Sequence, residues 1–550
     1  MPMHNGLARR RFLSLGLFGV ATMPLLGCSL ARFAWERVVP TPAPAQRQPR
    51  RRGELRLPGA TPPTFDPALS QDSTSATYIV EIYSGLMTAT PALELVPDLA
   101  EGYTLGGDGR VYTFKLREGI SFHSGRPVTA EDIKFSLERA CHPATGSPVA
   151  ATYLGDIVGA REMLSGAAPS LSGVRVVDPH TVEIEIDAPR ASFLAKLTHP
   201  VSFVVDRERI GLSDPVKAAN GTGPFRLASV RARQEIVLEA STSYYREPRP
   251  ALERVRFLLG AGHAVTMYEN DELDAAPVGV GDLPRLTDPA NELSQELTVS
   301  EQLATFYVGF HCQVPPFEDV HVRRAFAMSL DRQKIVDVLY KKTVPAAHTV
   351  VPPLMPDYDN TGLAAPPFDP GAARRELALS AYGRAESLPP VTLYVSSSSP
   401  YTDEIARAIA TLWEEHLGVR IGIEQREWGY FLQGLADPWR PYQSYILGWI
   451  ADYPDPENFL QVLFHSKSND NHSHYSNPQV DSLLEQAALE LDKARRHALY
   501  LEAERLVLEE APIVPLYHDV EYWLTKPYVR DMHYPPLIVP RLQYVRLAQA

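Results

Sequence analysis

The sequence predicts a mixed α/β body of more than one lobe, and three observations carry that expectation. From Gly53 onward, segments with the period of amphipathic helices alternate with segments of strand period, and no short repeat of the solenoid kind recurs. That stretch is long enough for several hydrophobic cores. Cap and turn residues stand at the ends of these segments, where helices and strands need them.

In chain order, Gly107-Asp108-Gly109 is a turn signal, because Gly and Asp tolerate positive φ. Residues 111–116 then set Tyr112, Phe114 and Leu116 against Val111, Thr113 and Lys115, which predicts a β-hairpin. Thr129 followed by Asp132 resembles a capping box, with Asp where Glu or Gln is usual. Ile133, Leu137 and Ala140 recur at helical spacing, so a helix is expected from Ala130. Gly221-Thr222-Gly223-Pro224-Phe225 superficially suggests a phosphate loop, but neither a helix signal nor Lys-Ser/Thr follows its glycines. It reads as a tight turn into a strand, with residues 235–240 as another.

After the Pro-Pro-Phe turn at residues 315–317, Phe326, Ser329 and Leu330 follow a helix face, and Asp331 caps a second helix carrying Ile335, Val338 and Leu339. Arg323 and Arg324 are expected on a solvated face. Thr402 precedes an amphipathic helix bearing Ile405, Ile409, Leu412, Trp413 and Leu417, stopped by Gly418, and residues 419–423 alternate as a strand. Asn477-Pro478 starts another helix, Asp492 a further one, and residues 511–517 return as a strand.

The N-terminus sets the compartment. Arg9-Arg10-Arg11 precedes a mostly apolar run, residues 12–26, that ends at small residues and Cys28. At about 15 residues the run is short of the roughly 20 that span a bilayer, so it reads as a signal peptide. Arg9 and Arg10 fit twin-arginine export, and Leu25-Leu26-Gly27-Cys28 fits a lipobox with Leu26 where a small residue is more usual; the alternative for Cys28 is an unmodified thiol lost with the signal. Residues 38–52, VVPTPAPAQRQPRRR, read as an extended tether.

Nine Arg against one Glu give residues 1–52 a net +8, so the −13 of the whole chain leaves −21 on the body, which excludes a nucleic-acid binder as the expectation. After Cys28 only Cys141 and Cys312 remain, too few for a disulfide framework; they read as two buried free thiols, with a single bridge as the alternative.

Residues 82–140 contain Gly85-Leu86, Pro97-Asp98-Leu99-Ala100, Asp108-Gly109, Tyr112-Thr113-Phe114, Leu116-Arg117, Phe122, Gly125 and Thr129-Ala130-Glu131-Asp132 in order. With NGTGPFRL at residues 220–227 and VGFHCQVPPFEDVHVRRAFAMSLDRQKIVDVLY at residues 308–340, they resemble the family 5 (dipeptide, oligopeptide and nickel) extracytoplasmic solute-binding proteins of ABC transporters. The resemblance implies a two-lobed periplasmic-binding-protein fold of type II with an extra inserted domain and a hinge between lobes. It divides the chain into signal peptide 1–28, tether 29–52, discontinuous lobe I (53–92, 206–303, 519–550), inserted domain 93–205 and lobe II 304–518. It implies a monomeric, lipid-anchored receptor outside the cytoplasm that delivers peptides to permease subunits served by cytoplasmic ATPases.

Residues 447–460, LGWIADYPDPENFL, match the family segment that faces the ligand. In peptide-binding relatives the Asp of Trp-x-Ala-Asp-Tyr pairs with the peptide α-ammonium, which puts Asp452 in that role, Trp449 on a side-chain pocket wall, Tyr453 beside them and Gly448 where a peptide backbone approaches closely. The alternatives are a turn cap for Asp452 and a core position for Trp449. Residues 76–80 are the second strand-like edge that the family suggests. Asp455 reads as a cap. His465, His472 and His474 sit in a polar stretch with no acidic or cysteine partner at diagnostic spacing, so a solvated loop is expected and no metal is assigned. No nucleophile-base pair, zinc motif or Walker element appears, so no enzyme activity and no cofactor is expected. A nickel chelate, opine, sugar or other small solute remains the alternative ligand, and an exported hydrolase the competing class.

Overall fold

The computed structural model describes residues 53–548 except 107, 261, 398–399 and 436–441, and the side chains of residues 400–402 are also outside the description. Arg9, Arg10 and Cys28 therefore lie outside the described residues. Three large sheets organise the body. In the first, strand Glu54–Gly59 pairs in parallel with Arg254–Leu259, which is followed in antiparallel order by Glu235–Ala240 and Phe225–Arg231. The second is antiparallel, in the order Ala100–Leu105, Val111–Leu116, Thr181–Glu185, Val174–Asp178. The third is mixed and six-stranded: Ala275–Pro277, Ile513–Thr525, Leu297–Phe310, Ser444–Ile450, Val391–Ser396, Ile421–Arg426.

The central strands of the third sheet are buried on both faces, which their composition explains. Along Leu297–Phe310 and Ser444–Ile450, Val308, Phe310 and Ile446 enter one core with Trp413, while Leu303, Tyr307, Tyr445 and Leu447 enter the other. A near-continuous apolar run is what a two-sided strand requires. The pairing of Leu297–Phe310 with Ile513–Thr525 shifts register between Glu301 and Thr305.

Most local expectations are met. Val111–Leu116 pairs with Ala100–Leu105 across a turn in which Gly109 has φ +79°. The helix Ala130–Cys141 starts at Thr129, whose N–H donates to Asp132 at 3.0 Å. Gly221 leads to strand Phe225–Arg231, and a Cβ there would lie 2.1 Å from the Ile82 carbonyl oxygen, so close backbone packing explains the glycine. Asp331, Asn477 and Asp492 each cap the helix expected of them. Cys141 is buried, Cys312 half-buried, and both are free thiols.

Three expectations are corrected. Arg323 is not on a solvated face: it is 5% exposed and donates to the carbonyls of Glu510 and Phe317 at 3.0 and 2.9 Å, satisfying a helix end from a neighbouring element. Val338, expected on the apolar face, is exposed, and Val336 is buried in its place. The helix placed after Thr402 spans Pro400–Leu417 and so already contains that residue.

Candidate functional site

Where strand Ser444–Ile450 ends, Ala451 and Asp452 lead through a turn into helix Glu457–Phe464. Asn458, fully buried in that helix, organises the turn. Its Oδ1 accepts the Trp449 indole N–H and the Asp452 backbone N–H, each at 3.0 Å, and its Nδ2 reaches Asp452 Oδ2 at 3.4 Å. The residues that the sequence reading singled out are thus held together by a neighbour it did not name.

The Asp452 carboxylate is 29% exposed and receives further donors from far along the chain. The Tyr153 hydroxyl donates to its Oδ2. His199 stacks on Tyr153 at 3.8 Å between ring centres and brings Nε2 to 3.8 Å from Asp452 Oδ1. His199 Nδ1 accepts the Val201 N–H at 3.2 Å, which leaves the ring proton on Nε2, toward the carboxylate. Burial lowers the His199 pKa below the ordinary histidine value, against the opposing pull of Asp452, so the ring is a neutral donor. The hydrogen-bond donors to the Asp452 side chain, Tyr153 and Asn458, are neutral, His199 faces it at 3.8 Å, and among the described residues no Lys or Arg pairs with it.

Asp452 opens on a cavity of about 560 Å³. Trp449, Gly448, Tyr153, His199, Val80 and Asp470 are on its wall, and among the described residues no Lys or Arg is. Asp470 accepts the Thr152 hydroxyl at 3.1 Å. Burial, reinforced by the nearby Asp452 charge and only partly offset by Thr152, pushes its pKa up to about 7.

The structure revises several sequence-based placements. Tyr453 does not reach this cavity: it is buried in the core built mainly by residues 86–204, edge-on to Tyr153, and lines a separate cavity with Lys196 and Glu457. Gly448 is on the wall, but a Cβ there would meet the Phe306 ring, its cross-strand partner, at 2.6 Å, so packing already demands the glycine. Residues 76–80 belong to helix Ser73–Ile82, whose carbonyls are spent within the helix; they contribute side chains to the wall but no strand edge. His465 is buried with its Nε2 3.3 Å from Glu485, and His472 and His474 are not a solvated loop either. Both are half-buried on the cavity wall, burial lowers the pKa of each, His472 to about 4, and His474 stacks on His311 at 4.2 Å. Asp455 accepts the Glu457 N–H at 2.9 Å as a cap and also holds Arg496 in a two-point ion pair at 2.7 and 2.8 Å. Among the described residues, no three His, Cys, Asp or Glu side chains converge as a metal site would require.

Tyr153, His199, Asn458 and Asp470 were not singled out from the sequence. Tyr153 and His199 stand some 250–300 residues from Asp452 and carry no local signal; Asn458 lies within the quoted segment, where a buried amide cannot be told from an exposed one.

Residues 94–471 match the family described as bacterial extracellular solute-binding proteins, family 5 Middle. The chain is 30% identical over 495 residues to the periplasmic oligopeptide-binding protein OppA of Escherichia coli (strain K12), covering 86% of this chain and 88% of that protein. It is also 30% identical over 483 residues to the probable deoxycholate-binding periplasmic protein YgiS of the same strain, covering 85% and 88%. The solved murein tripeptide binding protein MppA of Escherichia coli superposes with a TM-score of 0.81 at 26% identity, covering 90% of this chain and 99% of that one. Its unliganded open form superposes with a TM-score of 0.64. The chain belongs to the family 5 bacterial extracellular solute-binding proteins, a family that binds solutes rather than transforming them, and has their α/β periplasmic-binding-protein fold.

Proposed function

We propose that this chain is the substrate-binding component of an ABC importer, that it captures peptides in the cavity beside Asp452, and that it delivers them to membrane permease subunits served by cytoplasmic ATPases. The observation that carries the reading is the carboxylate of Asp452, oriented by Tyr153 and Asn458, beside His199, and facing the cavity without a cationic partner among the described residues. Neutral donors hold the carboxylate in place while leaving its charge uncompensated, which suits it to a ligand ammonium. OppA is an oligopeptide-binding protein and MppA a murein tripeptide binding protein, which supports a peptide. A solute like that of YgiS is the second reading, but an anion such as deoxycholate fits poorly against Asp452 and Asp470.

Lobe I (53–92, 206–303, 519–550) and lobe II (304–518), with the inserted domain 93–205, are proposed to close over the peptide, because the cavity wall draws on Val80 and Ile538 of the first, Trp449 and Asp452 of the second and Tyr153 and His199 of the third. Calorimetry with a free and an N-acetylated tripeptide tests the ligand. The free peptide binds and acetylation weakens it strongly; equal affinities would remove the ammonium from the reading.

The chain is further proposed to be exported through Arg9-Arg10 and anchored by lipid on Cys28. Cys28→Ala is expected to move the protein from a carbonate-resistant membrane pellet to the soluble fraction, and Lys at positions 9 and 10 to stop twin-arginine export.

A further inference from the structure

We propose that the cavity selects peptides carrying a second positive charge, and that Asp470 is the residue that reads it. The inference rests on the peptide reading of the same cavity. Three carboxylates stand on the wall: Asp72, which is engaged in capping helix Ser73–Ile82 through the Ser75 N–H at 3.0 Å, and Asp452 and Asp470, close enough that the charge of Asp452 disfavours ionisation of Asp470. Their protein partners are neutral: Tyr153, His199 and Asn458 at Asp452, and the Thr152 hydroxyl at Asp470. The histidines of the wall, His199, His472 and His474, are held toward the neutral form by burial, so they supply no compensating charge. A peptide α-ammonium at Asp452 answers one carboxylate and leaves Asp470.

The neighbouring cavity shows what this chain does with carboxylates that are meant to stay internally paired. There Asp156 and Glu457 both meet Lys196, at 2.8 and 2.6 Å, and Glu457 also meets Arg496 at 3.2 Å. Asp470 is comparably enclosed, yet no Lys or Arg among the described residues pairs with it. A lysyl or arginyl side chain from the ligand would supply the charge-assisted partner that Asp470 lacks among the described residues. An anionic side chain would be repelled, so the same carboxylate discriminates by both attraction and repulsion.

The test uses the mature protein and calorimetry with trialanine and the three tripeptides in which one Ala is replaced by Lys. At least one lysyl peptide is expected to bind about tenfold or more tighter than trialanine, and Asp470→Asn to reduce that ratio to within about twofold, as loss of one charged partner should. Trialanine binding with no lysyl preference, or a preference that survives Asp470→Asn, overturns the inference and leaves the peptide reading standing. The wild-type comparison decides even if the variant fails to fold. If no tripeptide binds, the peptide reading falls, and thermal shift with cadaverine against glutarate decides the charge inference: stabilisation by the dication alone supports it, and any other response overturns it.

Discussion

Two charged regions flank the Tyr153–Tyr453 contact, and they treat buried carboxylates in opposite ways. On one side Lys196, Arg190 and Arg496 interleave with Asp156, Asp455 and Glu457, so that each acid has at least one basic partner within about 3.2 Å. Burial alone would raise the Glu457 pKa, but Lys196 and Arg496 overcome it and hold the group down to about 2. On the other side Asp470 has only a hydroxyl, and burial lifts it to about 7. The first arrangement ties residues 156–196 to residues 455–496 as structure. The second keeps charge in reserve at the cavity, which is where a cationic ligand gains most.

The contrast breaks most visibly at Lys196. Lys196→Met removes the cation that Asp156 and Glu457 share, leaving Asp156 with Arg190 and Glu457 with Arg496, and should cost about 3 kcal/mol of stability, the low end of the range for breaking a buried pair. Denaturant unfolding reads it, and a loss under about 1 kcal/mol would mean that the network is solvated in solution.

Asp452→Asn sits on the other side of the comparison. Peptide affinity should fall by about 2–5 kcal/mol, while affinity for the N-acetylated peptide changes far less. Mutation and acetylation delete one interaction, so their costs should not add; full additivity in the calorimetric cycle would remove Asp452 from ammonium binding.

The third test is a difference in the sign of pH dependence, read as a slope. Asp470 rises from 3.8 to about 7 on folding, so its contribution favours the folded state below 3.8 and is lost as pH climbs through about 7. Glu457 falls from 4.5 to about 2, so its contribution is present above 4.5 and is lost as pH drops through about 2. Stability of the unliganded protein should therefore carry a declining component between about pH 4 and 7 of at most about 1.4 kcal/mol per unit, and Asp470→Asn should remove it. Burial sets most of this shift, with Thr152 opposing it and Asp452 adding to it, so Thr152→Val should move the declining window further upward. An unchanged slope in Asp470→Asn would assign the titration to another group.

Much of the local architecture was legible in the residues. The hairpin at Gly109, the capped helix at Thr129 and the Asn477 and Asp492 caps depend on interactions within a few residues, and such interactions leave a local signature. Arg323 was misread because its partners, the carbonyls of Glu510 and Phe317, belong to another helix end and a turn, and a guanidinium that satisfies distant carbonyls looks in sequence like any surface Arg. Residues 76–80 were expected to offer a strand edge on family resemblance, but the Asp72 cap and the local bonding of Ser73–Ile82 make them a helix. The histidines at 472 and 474 sit in a segment whose polarity suggested water, yet tertiary packing half-buries both on the cavity wall.

By itself the sequence determined the fold class and the position of Asp452 in the segment 447–460, because periodicity, caps and the Trp-x-Ala-Asp-Tyr pattern are carried by contiguous residues. Only the tertiary structure decided what surrounds that carboxylate. Tyr153, His199 and Asp470 reach the same cavity from distant segments, and whether a buried acid meets a Lys, as Glu457 does, or only a hydroxyl, as Asp470 does, depends on which segments pack together. Desolvation and charge pairing act through space, so their balance at each carboxylate has no counterpart in local sequence.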